Sequence, residues 1–157
     1  MELIIAAVGT RMPDWVATAF AEYQKRMPRE ARMRLVEIKP EKRDGGKTAQ
    51  QIMSIEAARI AAALPSKGCY QIVLDERGKQ MSSLALADEL QNWLAAARDV
   101  ALIIGGADGL APEIKARADL CWSLSALTLP HALVRVVLAE QLYRAVSILH
   151  NHPYHRE

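Results

Sequence analysis

The sequence predicts an α/β fold in which a parallel-rich sheet is flanked by helices. Apolar runs of strand length alternate with segments of helical periodicity along most of the chain. These runs are apolar throughout rather than at every second position, which is typical of parallel strands covered on both faces. A content of 51% hydrophobic and 24% charged residues fits one compact domain over residues 1–157.

The first half of the chain contains three predicted strands and two predicted helices. Pro13 suits the first position of a helix, because its fixed φ matches the helix and its missing N–H needs no partner there. In chain order we expect a strand over residues 3–8, a helix over 13–27, a strand over 34–38, a helix over 48–64 and a strand over 70–75.

The second half begins with a predicted helix that Ser82 or Ser83 can cap. The last helix is apolar on more than one face, so it needs a second partner besides its own core. We expect homodimerisation through this helix, and deep burial within one chain is the alternative. The elements predicted here are a helix over 82–97, a strand over 100–104, a short helix over 112–118, a strand over 121–125 and a helix over 132–149.

The composition excludes several other classes of protein. The first apolar run is too short for a signal peptide or a membrane span, so we expect a cytoplasmic protein without a membrane segment. Cys69 and Cys121 stand alone in apolar settings, which favours buried free thiols over a disulfide or a zinc site. No metal is expected.

Although the net charge of the chain is only +2, the region between Lys25 and Lys47 is basic, with nine basic and four acidic residues. Such a stretch is commonly a solvated face. Clustered lysines and arginines beside a glycine-containing loop also bind phosphate backbones. We therefore favour a nucleic-acid contact in this region.

Two loops could hold a ligand. Gly105 and Gly106 follow a buried strand, where the backbone can approach a ligand closely, although their spacing is neither a dinucleotide fingerprint nor a phosphate loop. Residues 123–131 lead through small and apolar side chains into Pro130, and such a loop can enclose an adenine. Simple turns explain both loops equally well.

Polar groups interrupt the last helix and crowd residues 150–157. Glu140 and Arg144 are spaced to form an ion pair, and a buried arginine needs either such a partner or an anionic ligand. The octet "HNHPYHRE" holds three of the four histidines. It is a solvated stub, a metal chelator or a carrier of catalytic groups.

The runs "GGADGL", "WSLSALTLPHALVRVVLAEQLYRA" and "NHPYHRE", with "AVGTRMPDW", "KRMP" and "LDERGK", resemble the RlmH family of ribosomal large-subunit methyltransferases, in the SPOUT superfamily. The resemblance covers essentially the whole chain. This sequence has Ala107 and Asp108 where some relatives have Pro-Glu, and Ala132 in place of a proline. These departures spare the glycines and the turn.

The resemblance implies a homodimer with a C-terminal trefoil knot, whereas the residue pattern alone predicts an unknotted doubly wound sheet. It also implies that S-adenosylmethionine is the methyl donor for N3 of a pseudouridine in 23S rRNA, within the assembled 70S ribosome. The cofactor-binding residues carried over by position are Leu74, Gly105, Gly106, Ser125, Ala126, Leu127, Thr128, Leu129 and Pro130.

The same resemblance directs attention to the tail for catalysis. We assign His155 as the leading general base, Tyr154 as the residue that positions it, and Arg144 and Arg156 as groups that stabilise charge or hold phosphate. His131, beside the cofactor loop, is expected to orient its neighbours.

Three alternatives remain open at this point. One is a SPOUT enzyme that acts on tRNA or on a ribose 2′-hydroxyl, and another is a non-catalytic ribosome-binding factor. The third is a metal-dependent hydrolase with His150, His152 and His155 as ligands, although carboxylates typical of such sites are lacking. We expect His150 and His152 to be helix-end and turn residues instead, because Pro153 stops the helix.

Overall fold

A computed structural model describes residues 1–156 as a five-stranded parallel sheet flanked by helices, in the strand order β2-β1-β4-β3-β5. The predicted α/β class is therefore confirmed. The elements are β1 (Glu2–Val8), α1 (Asp14–Gln24), β2 (Arg32–Ile38), α2 (Ala49–Ala63), β3 (Tyr70–Gln80), α3 (Ser83–Ala96), β4 (Val100–Ile104), α4 (Pro112–Arg117), β5 (Leu120–Ser123) and α5 (His131–Leu149), with 3-10 turns at Arg29–Ala31 and Pro153–Arg156.

Several helix ends differ from the sequence-based expectation by a few residues. Pro13 is the N-cap of α1 rather than its first helical residue, because its ψ is extended. Pro130 is the N-cap of α5, which begins one residue earlier than predicted. Ser82 caps α3 by accepting a hydrogen bond from the Ala85 N–H, as its residue type predicts. α5 ends before Pro153, since Asn151 already has a left-handed φ of 51°.

The sheet has one hydrophobic layer on each face. β1 and β4, inside the sheet, are buried almost completely, which accounts for their apolar runs without alternation. β2, β3 and β5 are only partly buried. On one face the core includes Phe20 of α1, Leu86 of α3 and Leu138 of α5. On the other face Ile60 of α2 and Ile114 of α4 cover the strands. α5 contacts both α1 and α3, so it lies between them.

β3 is longer than predicted and contains a bulge. Leu74 and Lys79 both pair with Trp122 of β5, so residues 75–78 have no partner of their own on that strand. A Cβ on Gly78 would lie 2.7 Å from the carbonyl carbon of Cys121. Only glycine therefore fits where the bulge returns to the sheet.

Two other sequence-based expectations concern the cysteines and membrane-spanning segments. Cys69 and Cys121 are both free thiols, as predicted, but only Cys69 is buried, whereas Cys121 is partly exposed. Among the helices of residues 1–156, none combines the length and the apolar character required to cross a bilayer.

Candidate active site

A cavity of about 490 Å³ opens at the carboxyl ends of β3, β4 and β5. This edge of a parallel sheet is where α/β proteins commonly bind ligands, and the volume is in the range of small-molecule sites. The lining mixes apolar, backbone and charged groups: Leu74, Asp75, Glu76, Arg77, Ile104, Gly105, Gly106, Ala107, Gly109, Leu110, Lys115, Trp122, Leu124, Ser125, Leu127, Thr128, Leu129, His131 and Val134.

Seven of the nine residues expected to bind the cofactor line this cavity. They come from three separate segments, which the parallel topology brings to one edge: Leu74, Gly105, Gly106, Ser125, Leu127, Thr128 and Leu129. Ala126 and Pro130 are outside the lining, Ala126 in the exposed turn and Pro130 as the cap of α5.

The β3 bulge forms a charged wall of the cavity. The Lys115 ammonium lies 2.5 Å from the Asp75 carboxylate and, with the Arg77 backbone N–H, holds the pKa of that carboxyl below its ordinary value. The Thr128 hydroxyl donates to Glu76 Oε2 at 3.3 Å. The bulge and loop 124–130 therefore contact each other at the opening of the cavity.

Loop 124–130 has an internal turn that fixes its shape. The Ser123 hydroxyl donates to the Ser125 carbonyl at 2.8 Å, and the Leu127 N–H donates to Ser125 Oγ at 2.9 Å. The Ser125 hydroxyl is thus engaged within the loop. Leu127 is 73% exposed, so the rim presents an apolar side chain to solvent.

The glycine loop at the end of β4 is closely packed, so a side chain would clash with the backbone at Gly105 and would press against neighbouring side chains at Gly106. A Cβ on Gly105 would lie 2.8 Å from the Gly109 carbonyl carbon, and one on Gly106 would lie 3.1 Å from Glu56 Oε1. Glu56 is 5% exposed, and its other oxygen accepts the Glu41 N–H at 3.0 Å. The buried carboxylate of Glu56 therefore packs directly against the glycine loop.

His131 connects the glycine loop to α5. Its Nδ1 donates to the Gly105 carbonyl at 3.0 Å, while its Nε2 accepts from Arg135 Nε at 3.1 Å. Burial, together with the positive charge of Arg135, lowers the pKa of His131 below its ordinary value. The imidazole is consequently neutral, with its proton on Nδ1.

Arg135 extends this network to the other strands, and sequence reasoning did not identify it as a site residue. Its side chain is 1% exposed and donates to Glu37 Oε2 at 2.7 Å and to the Gly9 carbonyl at 2.8 Å. The signal was present in the sequence, because Arg135 lies one helical turn after His131 on an apolar helix.

The predicted catalytic residues of the tail form a second cluster on α5. Glu140 Oε1 accepts from Arg144 Nη2 at 2.7 Å and from the Tyr154 hydroxyl at 2.9 Å. The Tyr154 ring also packs edge-on against Tyr143, with centroids 4.8 Å apart. Burial, followed by the neighbouring Tyr23 and Glu140, raises the pKa of Tyr154, so its hydroxyl is protonated at neutral pH.

The histidines of the tail have different surroundings. His155 Nδ1 is buried without a hydrogen-bond partner among residues 1–156. His150 lies 3.2 Å from Glu30, and His152 Nδ1 accepts the Tyr154 N–H at 3.2 Å. Across the described residues, no three His, Cys, Asp or Glu side chains group as metal ligands would.

Within one chain the two clusters are far apart. Arg144, Tyr154, His155 and Arg156 are all absent from the cavity lining. Arg144 follows His131 by thirteen residues on one continuous helix, which corresponds to about 20 Å. The structure therefore gathers the predicted cofactor residues but does not bring the predicted catalytic residues to them.

Known proteins resemble this chain over its full length. Residues 1–155 match the family model described as "Predicted SPOUT methyltransferase". A protein named "Ribosomal RNA large subunit methyltransferase H" from Ralstonia nicotianae is 62% identical, over 99% of both chains. One of the same name from Laribacter hongkongensis is 57% identical over 100% of both chains.

Solved structures agree on the fold. A probable methylase family protein from Haemophilus influenzae superposes with a TM-score of 0.59 at 14% identity. The superposition covers 95% of this chain, which spans 66% of that protein. The full-length match to the family model and to relatives of high identity shows that this chain belongs to the SPOUT methyltransferase family.

Proposed function

We propose that the protein transfers a methyl group from S-adenosylmethionine to N3 of a pseudouridine in 23S rRNA, acting in the cytoplasm on assembled 70S ribosomes as a homodimer. The observation that carries the proposal is 62% identity, over 99% of both chains, to a protein named as a large-subunit rRNA methyltransferase. Identity of this degree over a whole domain supports a shared reaction and a shared class of substrate.

The cavity is suited to the cofactor in size and lining. Its volume of about 490 Å³ accommodates a nucleoside with a short polar extension. Leu74, Leu127 and Leu129 supply apolar surface for an adenine, and the Gly105 and Gly106 backbone can approach a ligand without a side chain between them. When bound, S-adenosylmethionine supplies a methyl group already activated on a sulfonium.

The protein's remaining task is to position the base and to remove its N3 proton. His155 is the proposed general base, and its Nδ1 is buried within the described residues and has no hydrogen-bond partner among them. Tyr154, which keeps its proton, orients neighbouring groups. Arg144 and Arg156 stabilise negative charge that develops on the adjacent carbonyl oxygens.

A homodimer would bring these groups to the cavity. Leu133, Val136 and Val137 form a partly exposed apolar stripe on the half of α5 nearest the cavity. A second α5 that packs antiparallel on this stripe extends its own C-terminal end, and therefore its tail, past His131 at the start of the first helix. Each active site would then combine the cavity of one protomer with the tail of its partner.

The test supplies labelled S-adenosylmethionine with intact 70S ribosomes, free large subunits or tRNA, and locates the methylated nucleoside by mass spectrometry. We expect label in one pseudouridine of 23S rRNA, at N3, and mainly from 70S ribosomes. Label only in tRNA or on a ribose hydroxyl would contradict the proposed substrate. Absence of cofactor binding in calorimetry would instead indicate a non-catalytic ribosome-binding factor.

A further inference from the structure

The fold places seven of the nine basic residues of this region in two groups at opposite ends of β2, and the other two, Arg32 and Arg34, lie on β2 itself. Lys25, Arg26 and Arg29 precede β2, whereas the segment 39–47 follows it, and the seven residues of β2 separate the two by about 20 Å. The first group is partly neutralised, since both Lys25 and Arg26 pair with Glu22.

Residues 39–47, here named the basic loop, are hydrogen-bonded to the rest of the protein at the start of the loop. Arg59 of α2 donates to the Lys39 carbonyl at 2.9 Å and to the Glu41 carboxylate at 3.1 Å. The Glu41 N–H donates to the buried Glu56, which also lies beneath Gly106. The start of the basic loop is therefore held in a defined place.

A second contact joins the basic loop to the glycine loop, of which Gly106, Ala107 and Gly109 line the cavity. Arg43 Nη2 lies 2.9 Å from Asp108 Oδ1, and Asp108 is part of the glycine loop between Gly106 and Gly109. The Asp108 side chain is 22% exposed, so this ion pair is partly shielded from water. The basic loop consequently lies along the rim of the cavity within the same chain.

The other positive charges of the basic loop face solvent. Lys39, Lys42 and Lys47 are exposed and have no acidic partner among residues 1–156. Gly45 and Gly46 have left-handed φ values of +86° and +75°, with no atom within 4 Å of an added Cβ. This part of the loop projects into open space.

The chemistry of the basic loop favours a polyanion over a protein partner. Its only apolar residue is Pro40, whereas protein interfaces concentrate aromatic and apolar side chains at their centres. We propose that the basic loop grips the phosphate backbone of the RNA substrate and so holds the target nucleotide beside the cavity. The identity of that RNA rests on the function proposed above.

The experiment measures binding of fluorescently labelled 70S ribosomes to Lys42→Gln/Lys47→Gln protein over a range of KCl concentrations. We expect the slope of log K against log salt to become shallower by about 1.4–1.8, because each lost phosphate contact removes about 0.7–0.9. Lys42→Arg/Lys47→Arg protein should restore the slope. Calorimetry should show unchanged cofactor affinity in both variants.

Lys25→Gln/Arg29→Gln protein is the matched control, since it removes the same charge from the opposite end of β2. Its slope should stay within error of the wild-type slope. An unchanged slope in the Lys42/Lys47 variant, or an equal loss in the control, would overturn the assignment to the basic loop. Binding is scored separately from methylation, so a wild-type protein that binds ribosomes without methylating them contradicts only the proposed function.

Discussion

His131 shows how one neutral side chain can shape a binding cavity. Its two ring nitrogens have opposite roles, since Nδ1 donates to the Gly105 carbonyl and Nε2 accepts from Arg135. A protonated ring would present two donors, and the contact with Arg135 would become repulsive. The orientation of the glycine loop therefore depends on an imidazole that stays uncharged.

Substitutions at His131 should separate its two hydrogen bonds. Asparagine can still donate to the Gly105 carbonyl, whereas phenylalanine fills the space and donates nothing. We expect His131→Phe to weaken S-adenosylmethionine binding roughly tenfold, the equivalent of one hydrogen bond, and His131→Asn to weaken it less than threefold. Isothermal calorimetry at pH 7.5 measures both, and equal affinities for the two variants would refute this role.

The lowered pKa of His131 predicts a pH-dependent stability. Above its ordinary pKa of 6.5 the ring is neutral in both the folded and the unfolded chain, so its contribution is fully present. As the pH falls below that value, the unfolded chain takes up the proton first and the folded state loses stability. Melting temperatures between pH 8 and 5 should therefore fall more steeply for wild type than for His131→Asn.

The two melting curves are compared at a fixed protein concentration, because the stability of the proposed dimer would depend on it. Titrating groups away from His131 are the same in both proteins, so their contributions cancel in the difference. Parallel curves over the whole range would show that His131 has the same proton affinity in the folded and unfolded chain.

β3 is the element on which the cavity wall depends. The sequence "YQIVLD" predicts a strand, but the polar residues that follow do not reveal that pairing with β5 resumes at Lys79. The bulge between these two stretches carries Asp75 and Glu76 into the cavity wall. Where β3 resumes pairing with β5 after the bulge, the Gly78 backbone is in close contact with Cys121.

Gly78→Ala should destabilise the fold by about 1–3 kcal/mol, because the added methyl meets backbone atoms that cannot rotate away. Gly68→Ala is the matched control, since nothing lies within 4 Å of its added Cβ. We expect the control to remain within about 0.5 kcal/mol of wild type. Urea unfolding followed by circular dichroism measures both, and similar midpoints would contradict a tight contact at Gly78.

The regular elements could be predicted from the sequence more fully than the site. Apolar runs and the Ser82 cap identify strands and helices because these signals are local. Arg135 could not be identified as a site residue from the sequence, because its partners Glu37 and Gly9 are distant along the chain. Without them, it is only a polar residue on an apolar helix. The glycine loop and residues 123–131 could be recognised as possible ligand loops from their residues, but simple turns explained them equally well. The family resemblance decided between the two and added Leu74, which lies in a distant segment of the chain.

Across the whole molecule, the separation of cavity and tail makes a shared active site testable. Thr128→Trp places a bulky side chain at an exposed position of the cavity lining, and a second variant lacks residues 154–157. We expect each protein alone to be inactive on 70S ribosomes. Mixed dimers should recover roughly a quarter of wild-type activity, because half the dimers are mixed and each has one intact site.

Calorimetry first establishes that Thr128→Trp does not bind S-adenosylmethionine and that the truncated protein does. Both variants must also remain dimeric by analytical ultracentrifugation. If tail and cavity act within the same chain, mixing restores nothing, because no protomer in the mixture carries both. Full activity of the truncated protein on its own would show that the tail is dispensable.

The network centred on Arg135 has a consequence for how the protein is made. Its guanidinium bonds the carbonyl of Gly9, a partner 126 positions earlier in the chain, and its neighbour His131 holds the glycine loop. A nascent chain in which all five strands have been synthesised still lacks these hydrogen bonds until α5 has followed. The cavity is consequently completed only after α5 has been synthesised, so cofactor capture cannot guide the earlier steps of folding.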